Sequence, residues 1–296
     1  MVTERRADPI DGDRELTFVP ADDAVAKNLD AEQIEHYNRS GYVSPIDVFT
    51  DDEADRLRMY FDDLLDEVVN ADDRRNSYSI NCYHLVCERL HDLVTEPRIV
   101  DLVADIVGPN IVCWGSHLFA KLPGDPKEVP FHQDAVYWPL TPARTVSVWL
   151  AIDDADDDNA AMRFVPGSHL RGEIEHVQED LDGTRVLGRR VADTDLVADP
   201  FSNTLRAGQV SLHTDLLLHG SAPNASDRRR AGLTLRYAAA DVRLIDGYDF
   251  WRKNSVVVRG ADPDGFWFDR RRPEGEHPEK MAELWGEFDG QPIDAS

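Results

Sequence analysis

The sequence predicts an α+β chain with a mainly β core, an antiparallel barrel or sandwich flanked on its N-terminal side by helices. Three observations predict it. Apolar residues recur at helical spacing before Pro109 and in short strand-like runs after it. Those later runs are β-branched or aromatic and bounded by Gly, Pro and Asp. Helices therefore come first and strands later, with no βαβ alternation.

The elements follow in order. Residues 1–28 are polar and Asp-rich and read as an extension. A short helix comes next: Asp30 caps it, Gln33 sits at the reciprocal position, Ile34 and Tyr37 share a face, and Gly41 ends it. Thr50 and Glu53 form a second capping box, and Leu57, Phe61, Leu64 and Val68 follow at helical spacing, so 51–69 is an amphipathic helix. A third helix starts near Thr95, has Pro97 in its first turn, carries Ile99, Leu102, Val103 and Ile106, and stops at Gly108-Pro109. Strands are expected at Ile111–Lys121, Thr145–Ile152, Met162–Val165, Gln209–His213 and Gly232–Ala240. The charged stretch 170–205 reads as an insertion of the kind that covers a site. The Trp-, Phe- and Arg-rich tail from 244 to 296 is expected to pack on the barrel exterior. The organisation expected is an extension (1–28) and one domain (29–296), with helices over 29–108 and a β core over 109–243.

Composition excludes several function classes. There are 57 acidic and 32 basic residues, a formal net charge of −25. Such a chain repels phosphate backbones and anionic lipid, which argues against nucleic acid and membrane surfaces as partners. The acidic excess either solvates the surface, as in salt adaptation, or draws in a cationic substrate. Three cysteines without a CxxC pair form neither a disulfide framework nor a zinc ribbon. The first residues lack the apolar core of a secretory signal, and no apolar run is long enough to span a bilayer, so a reducing cytoplasm is expected.

The chemistry centres on Pro130-Phe131-His132-Gln133-Asp134. On a strand, residues two apart point the same way, so His132 and Asp134 would offer an imidazole and a carboxylate to one metal. Two histidines and one carboxylate leave three coordination positions open, which suits iron(II) oxygenases. The pair alone is a weak signal, since His213-Thr214-Asp215 is another. His219 sharpens it. It follows Leu216, Leu217 and Leu218, which suit a buried strand, and precedes a turn through Gly220, Pro223, Asn224 and Ser226. Antiparallel pairing of the next strand would return Arg230 to the metal, where its fork suits the far carboxylate of a dicarboxylate, with Ser221 adding a hydroxyl. Arg228 and Arg229 are expected to pair with surface acids.

Together, HQD at 132–134, MRFVPGSH at 162–169 and HGSAPNASDRRR at 219–230 resemble the phytanoyl-CoA dioxygenase family of iron(II)/2-oxoglutarate oxygenases. The resemblance runs from YNRSGYV at 37–43 to about Tyr237. It implies a double-stranded β-helix (jelly-roll, cupin-like). It implies His132, Asp134 and His219 as metal ligands and catalytic centre. Arg230, eleven residues after the distal histidine, would anchor 2-oxoglutarate, Ser221 would assist it, and Lys121 and Trp149 would line the cosubstrate pocket. It implies Fe(II), 2-oxoglutarate and O2 as cofactor and cosubstrates, and hydroxylation of a small molecule with release of succinate and CO2. Retention of Asp134 favours oxygenation over halogenation. Asn159-Ala160-Ala161 departs from the usual Asn-Gly, which touches a turn and not a ligand.

Other residues keep plainer readings. The pair His213/Asp215 would need His277 as its distal partner, in a polar tail; His213 reads better as lining or supporting the site. His169 is expected to make a structural hydrogen bond. His117 either faces the cavity or fills space, and Arg163 and Arg236 either reach substrate or are solvated. A cupin-like isomerase or hydrolase, and a non-catalytic family member, are the competing functions. The substrate's identity and the oligomeric state stay open.

Overall fold

The computed structural model describes residue 10 and residues 12–71, 75–179 and 183–287; parts of the expected extension and tail lie outside these. Chain order is α1 (Ala31–Ser40), β1 (Tyr42–Asp47), α2 (Asp51–Val69), β2 (Ile80–Asn81), α3 (Glu88–Val94), α4 (Pro97–Val107), β3 (Ile111–Lys121), β4 (Val129–His132), β5 (Leu140–Thr141) and β6 (Thr145–Ala151). It continues with β7 (Arg163–Phe164), β8 (His176–Gln178), β9 (Arg189–Val191), β10 (Phe201–Ser202), β11 (Gln209–His213), β12 (His219–Ser221), β13 (Arg230–Ala239), β14 (Arg243–Leu244), β15 (Val256–Arg259) and α5 (Lys280–Glu287).

Local signals set the helix ends. In α1 the Asp30 carboxylate accepts from Gln33 N at 2.8 Å and the Gln33 side chain accepts from Asp30 N at 2.9 Å. Gly41 closes it at φ 88°, a left-handed cap open to a residue without Cβ. Thr50 and Glu53 reciprocate the same way at α2. Helix α4 begins two residues later than Thr95, capped by Glu96. Helix α3 is an addition to the expected set: seven residues are too few for a clear helical period, and its His91 and Leu90 are buried by neighbours.

Two antiparallel sheets face each other as a double-stranded β-helix. The larger runs β1-β11-β6-β13-β3-β15, with β2 also on β3; the smaller runs β10-β7-β12-β4. Strands β3, β6 and β13 are buried almost throughout, because α2 and α4 pack on one face of the larger sheet and the smaller sheet covers the other. The tail packs on the barrel but also adds β15 to the edge of the larger sheet, with Trp251 stacked on Trp114 at 5.5 Å. An edge strand satisfies β3's outer hydrogen-bonding groups, a pairing no local pattern announces.

Two expectations need correction. Leu216, Leu217 and Leu218 are fully buried but form a turn, not a strand; their burial comes from enclosure between the sheets. Strands β12 and β13 do not pair with each other. β12 joins β4 and β7 in the smaller sheet, and β13 joins β3 and β6 in the larger. Residues 222–229 therefore cross between sheets.

Candidate metal centre and adjoining cleft

Cross-strand register builds the centre. His132 ends β4 and His219 begins β12, and the two are direct partners across the strands, with ring centroids 4.3 Å apart. Asp134 is not on the strand; it opens a 3-10 turn, Asp134–Val136, just beyond it. The buried Gln133 amide holds that transition. It donates to Gly172 O and Leu216 O and accepts from Ile174 N, tying three segments together. One donor atom each from His132, Asp134 and His219 lies within 4.8 Å of the others. His132 Nε2 is 3.5 Å and His219 Nε2 is 3.8 Å from Asp134 Oδ1.

Both imidazoles are held in one tautomer. His132 Nδ1 is 2.8 Å from Pro130 O, and His219 Nδ1 is 3.0 Å from Leu217 O. A carbonyl only accepts, so each Nδ1 carries the proton and each Nε2 turns its lone pair toward Asp134. Burial, then the neighbouring His132, pushes His219 down to about 3, so it is a neutral donor at neutral pH. Burial opposes ionisation of Asp134, but attraction to His219 and His132 in their protonated forms, and to the Arg236 guanidinium, outweighs it and holds the carboxyl below its ordinary range. Ser147 Oγ donates to its Oδ2 at 3.3 Å. Neutral nitrogens and one oriented carboxylate fit a ferrous ion.

His213, on β11, lies 4.0 Å from Asp134 Oδ2 and lines the same cleft, with burial lowering it to about 4. Its sequence partner Asp215 is buried nearby outside the three-residue cluster, and His277 is at the surface beside Glu279. His169 Nε2 donates to Asn38 O at 3.1 Å, a structural bond. His117 fills space: it bonds Tyr78 O at 2.8 Å and is not among the residues lining the cleft.

The cleft opens to solvent and spans about 570 Å³ of space, part of it beyond the mouth. At one end Arg230, almost fully buried, donates from Nη2 to Ser221 Oγ at 3.1 Å and from Nε to Ala160 O at 3.1 Å. Burial lowers its guanidinium to about 10, still charged at neutral pH. Trp149 lies beneath it, with the guanidinium carbon 5.7 Å from the ring. Arg230 reaches the cleft from across the sandwich, through pairing with Lys121 on β3, rather than by folding back on β12. Lys121 itself does not line the cleft: its ammonium donates to carbonyls of Lys127, Ser221 and Ala222. Burial, then Arg230, lowers it to about 6, because two cations so close in a dry site disfavour each other. Arg228 pairs with Asp156 at the surface, while Arg229 pairs with exposed Asp62 and with partly buried Asp153. Ala160, where Asn-Gly is usual, sits at φ 66°, the left-handed conformation glycine adopts freely. Phe119, Met162 and Leu187 also line the cleft and carried no sequence signal; Leu187 comes from the expected covering insertion.

A family model for phytanoyl-CoA dioxygenase (PhyH) matches residues 37–232. The chain belongs to this family. Among curated relatives, it is similar to a probable alpha-ketoglutarate-dependent hypophosphite dioxygenase of Stutzerimonas stutzeri, 33% identical over 183 residues covering 60% of this chain and 63% of that one. It is also similar to the peroxisomal phytanoyl-CoA dioxygenase of Bos taurus, 28% identical over 164 residues covering 54% and 49%. The chain thus spans about half to two thirds of these relatives' length. Among solved structures, the apo form of ThoJ, a non-heme monooxygenase, superposes with a TM-score of 0.72 at 28% identity over 88% of this chain and 95% of that one.

Proposed function

We propose that the chain is an iron(II)/2-oxoglutarate-dependent dioxygenase that hydroxylates a C–H bond of a small molecule. The observation that carries this reading is the pair of cross-strand histidines, each locked as the Nδ1–H tautomer, aiming Nε2 at Asp134 while Arg230 closes the far end. When bound, iron(II), 2-oxoglutarate and dioxygen supply the oxidant: R–H, O2 and 2-oxoglutarate become R–OH, succinate and CO2.

The chain's own groups position and exclude. His132, Asp134 and His219 would hold the metal, leaving positions free for cosubstrate and dioxygen. Arg230 would hold the distal carboxylate of 2-oxoglutarate, with Ser221 adding a hydroxyl and Trp149 walling the site. Lys121 positions the 221–222 backbone that carries Ser221. The buried side chains of both sheets keep water from the reacting centre. A single unit is supported over the described residues by one hydrophobic cluster that runs from Ala21, within the segment expected as an extension, to Met281 in α5. Among the described residues no helix is long and apolar enough to cross a membrane, and all three cysteines are buried thiols, which supports a cytoplasmic enzyme.

The test is anaerobic titration with iron(II), then 2-oxoglutarate, followed by succinate measurement across a panel of small molecules. Metal uptake with no effect of 2-oxoglutarate on binding or stability would instead favour a cupin-like isomerase or hydrolase.

A further inference from the structure

The turn that carries Asp134 is held from outside the cleft by residues remote in the chain. Asp134–Val136 is a single 3-10 turn, closed by a bond from Tyr137 N to Asp134 O at 2.9 Å. A turn this short leaves its last carbonyls, and those just after it, without partners inside it. Arg14 takes two of them: its Nη1 donates to Ala135 O and, at 2.9 Å, to Trp138 O. Arg189 Nη1 takes a third, Val136 O, at 3.0 Å. Arg14 comes from the N-terminal stretch expected as an extension, and Arg189 from the insertion over 170–205.

The Arg14 side chain is only 6% exposed. Its ion pair with Glu173, at 3.4 Å to an exposed carboxylate, contributes little in water and does not account for that burial. The backbone beside it is fastened to the same segment. Glu15 N donates to Thr141 Oγ1 at 2.9 Å, Glu15 O accepts from Ala143 N at 3.0 Å, and Leu16 packs with Ala135 and Leu216. Ala135, the residue directly after Asp134, is thus gripped at both backbone groups, since its N–H donates to Asp215 O at 3.0 Å. The Asp134 carboxylate accepts from Ser147 Oγ at a long 3.3 Å, so its aim depends on the backbone that carries it. We propose that Arg14 is a positioning residue of the metal centre: by holding the Ala135 and Trp138 carbonyls it fixes the turn that aims Asp134 between His132 and His219. The inference rests on the metal centre of the proposed oxygenase.

A guanidinium suits this task. Its N–H donors lie in one plane at fixed angles, and a charged donor makes the stronger bond to a carbonyl. Metal donors must be held within about 0.5 Å, so a small drift of the turn registers in affinity. A plainer role for Arg14, as a fastening of the N-terminal segment alone, predicts a lower Tm with unchanged metal binding.

The experiment titrates the full chain with cobalt(II), whose visible absorption reports the donors around it, and then with 2-oxoglutarate. Circular dichroism and Tm are read on the same samples. Arg14→Gln is expected to stay folded, to bind cobalt about 10-fold more weakly, the low end for a group that orients a metal ligand from outside, and to shift the visible bands. Arg14→Lys, which keeps the charge and a donor, is expected to fall between. Thr50→Ala, which removes the α2 cap, lowers Tm and leaves cobalt affinity and bands at their wild-type values. Arg39→Gln, at an exposed pair with Glu35, leaves all three unchanged. A folded Arg14→Gln with wild-type affinity and bands overturns the proposal. So does a cobalt loss of the same size in Thr50→Ala at an equal fall in Tm, since general destabilisation then explains it. If Arg14→Gln does not fold, Arg14→Lys carries the test, and undiminished affinity there overturns the proposal. A wild type that takes up no cobalt overturns the metal centre and this proposal together. Cobalt uptake with no response to 2-oxoglutarate overturns the oxygenase reading alone, and the effect of Arg14 on cobalt then stands.

Discussion

Replacing Gly232 by alanine should deform the cosubstrate end of the cleft from a position that touches no ligand. Trp149 is diagonal to Gly232 across β6 and β13, and its indole lies over the glycine. A Cβ built there would meet Trp149 Cζ2 at 2.1 Å and Cε2 at 2.2 Å. Ordinary carbon contacts are about 3.5 Å, so the ring must move by about 1.4 Å. Overpacking of this kind costs about 1–3 kcal/mol, whereas alanine in a strand regains about 0.5–1 kcal/mol of chain entropy. Overpacking outweighs that gain, by up to roughly 2.5 kcal/mol. For a chain of this size that lowers Tm by roughly 1–4 °C. Because the same indole supports Arg230, 2-oxoglutarate affinity should fall about 10-fold, near 1.4 kcal/mol. Thermal denaturation and anaerobic 2-oxoglutarate titration measure both. Adding Trp149→Leu should relieve the clash, with a coupling energy of about 1 kcal/mol between the two sites. A Tm at or above wild type with an unchanged titration would refute the reasoning.

Three further outcomes are expected. Asp134→Ala should abolish iron-dependent succinate release while the chain stays folded, read by anaerobic iron titration beside circular dichroism; retained turnover would remove Asp134 from the centre. Ala160→Gly should be neutral to stabilising by up to about 1 kcal/mol, since relief of a left-handed alanine (about 1–2 kcal/mol) exceeds the added flexibility of glycine (about 0.5–1 kcal/mol); urea unfolding measures it, and destabilisation by more than 1 kcal/mol counts against the strain. The metal-free chain should lose stability steeply on acidification. Burial lowers His84 to about 4, His117 to about 3 and His213 to about 4. Unfolded histidines titrate near 6.5, so the unfolded state binds more protons below that pH, and stability falls from about pH 6.5 toward pH 4. With several groups titrating together, the slope should exceed about 1.4 kcal/mol per pH unit, the one-proton value; urea midpoints between pH 4 and 7 measure it, and a flat profile would contradict it.

Sequence alone determined whatever is encoded within a few residues. Asp30 with Gln33 and Thr50 with Glu53 specify their helix starts because capping bonds close over three positions. The strand Gln209–His213 was legible to the residue because its apolar run ends at polar punctuation. His132, Asp134 and His219 were legible as chemical types, through a short pair and a distant histidine in a recognisable context. Only the tertiary structure decided which sheet each strand joins. That choice sets Arg230 opposite β12 instead of beside it, sends Asp134 onto a turn held by Gln133, and brings His213, Met162 and Leu187 to one cleft. It also turned Arg236, indistinguishable in sequence from a solvated strand arginine, into a buried cation between two indoles. The physical reason is range: capping and turn chemistry act over a few bonds, while burial and charge environment depend on segments about a hundred residues or more apart meeting face to face.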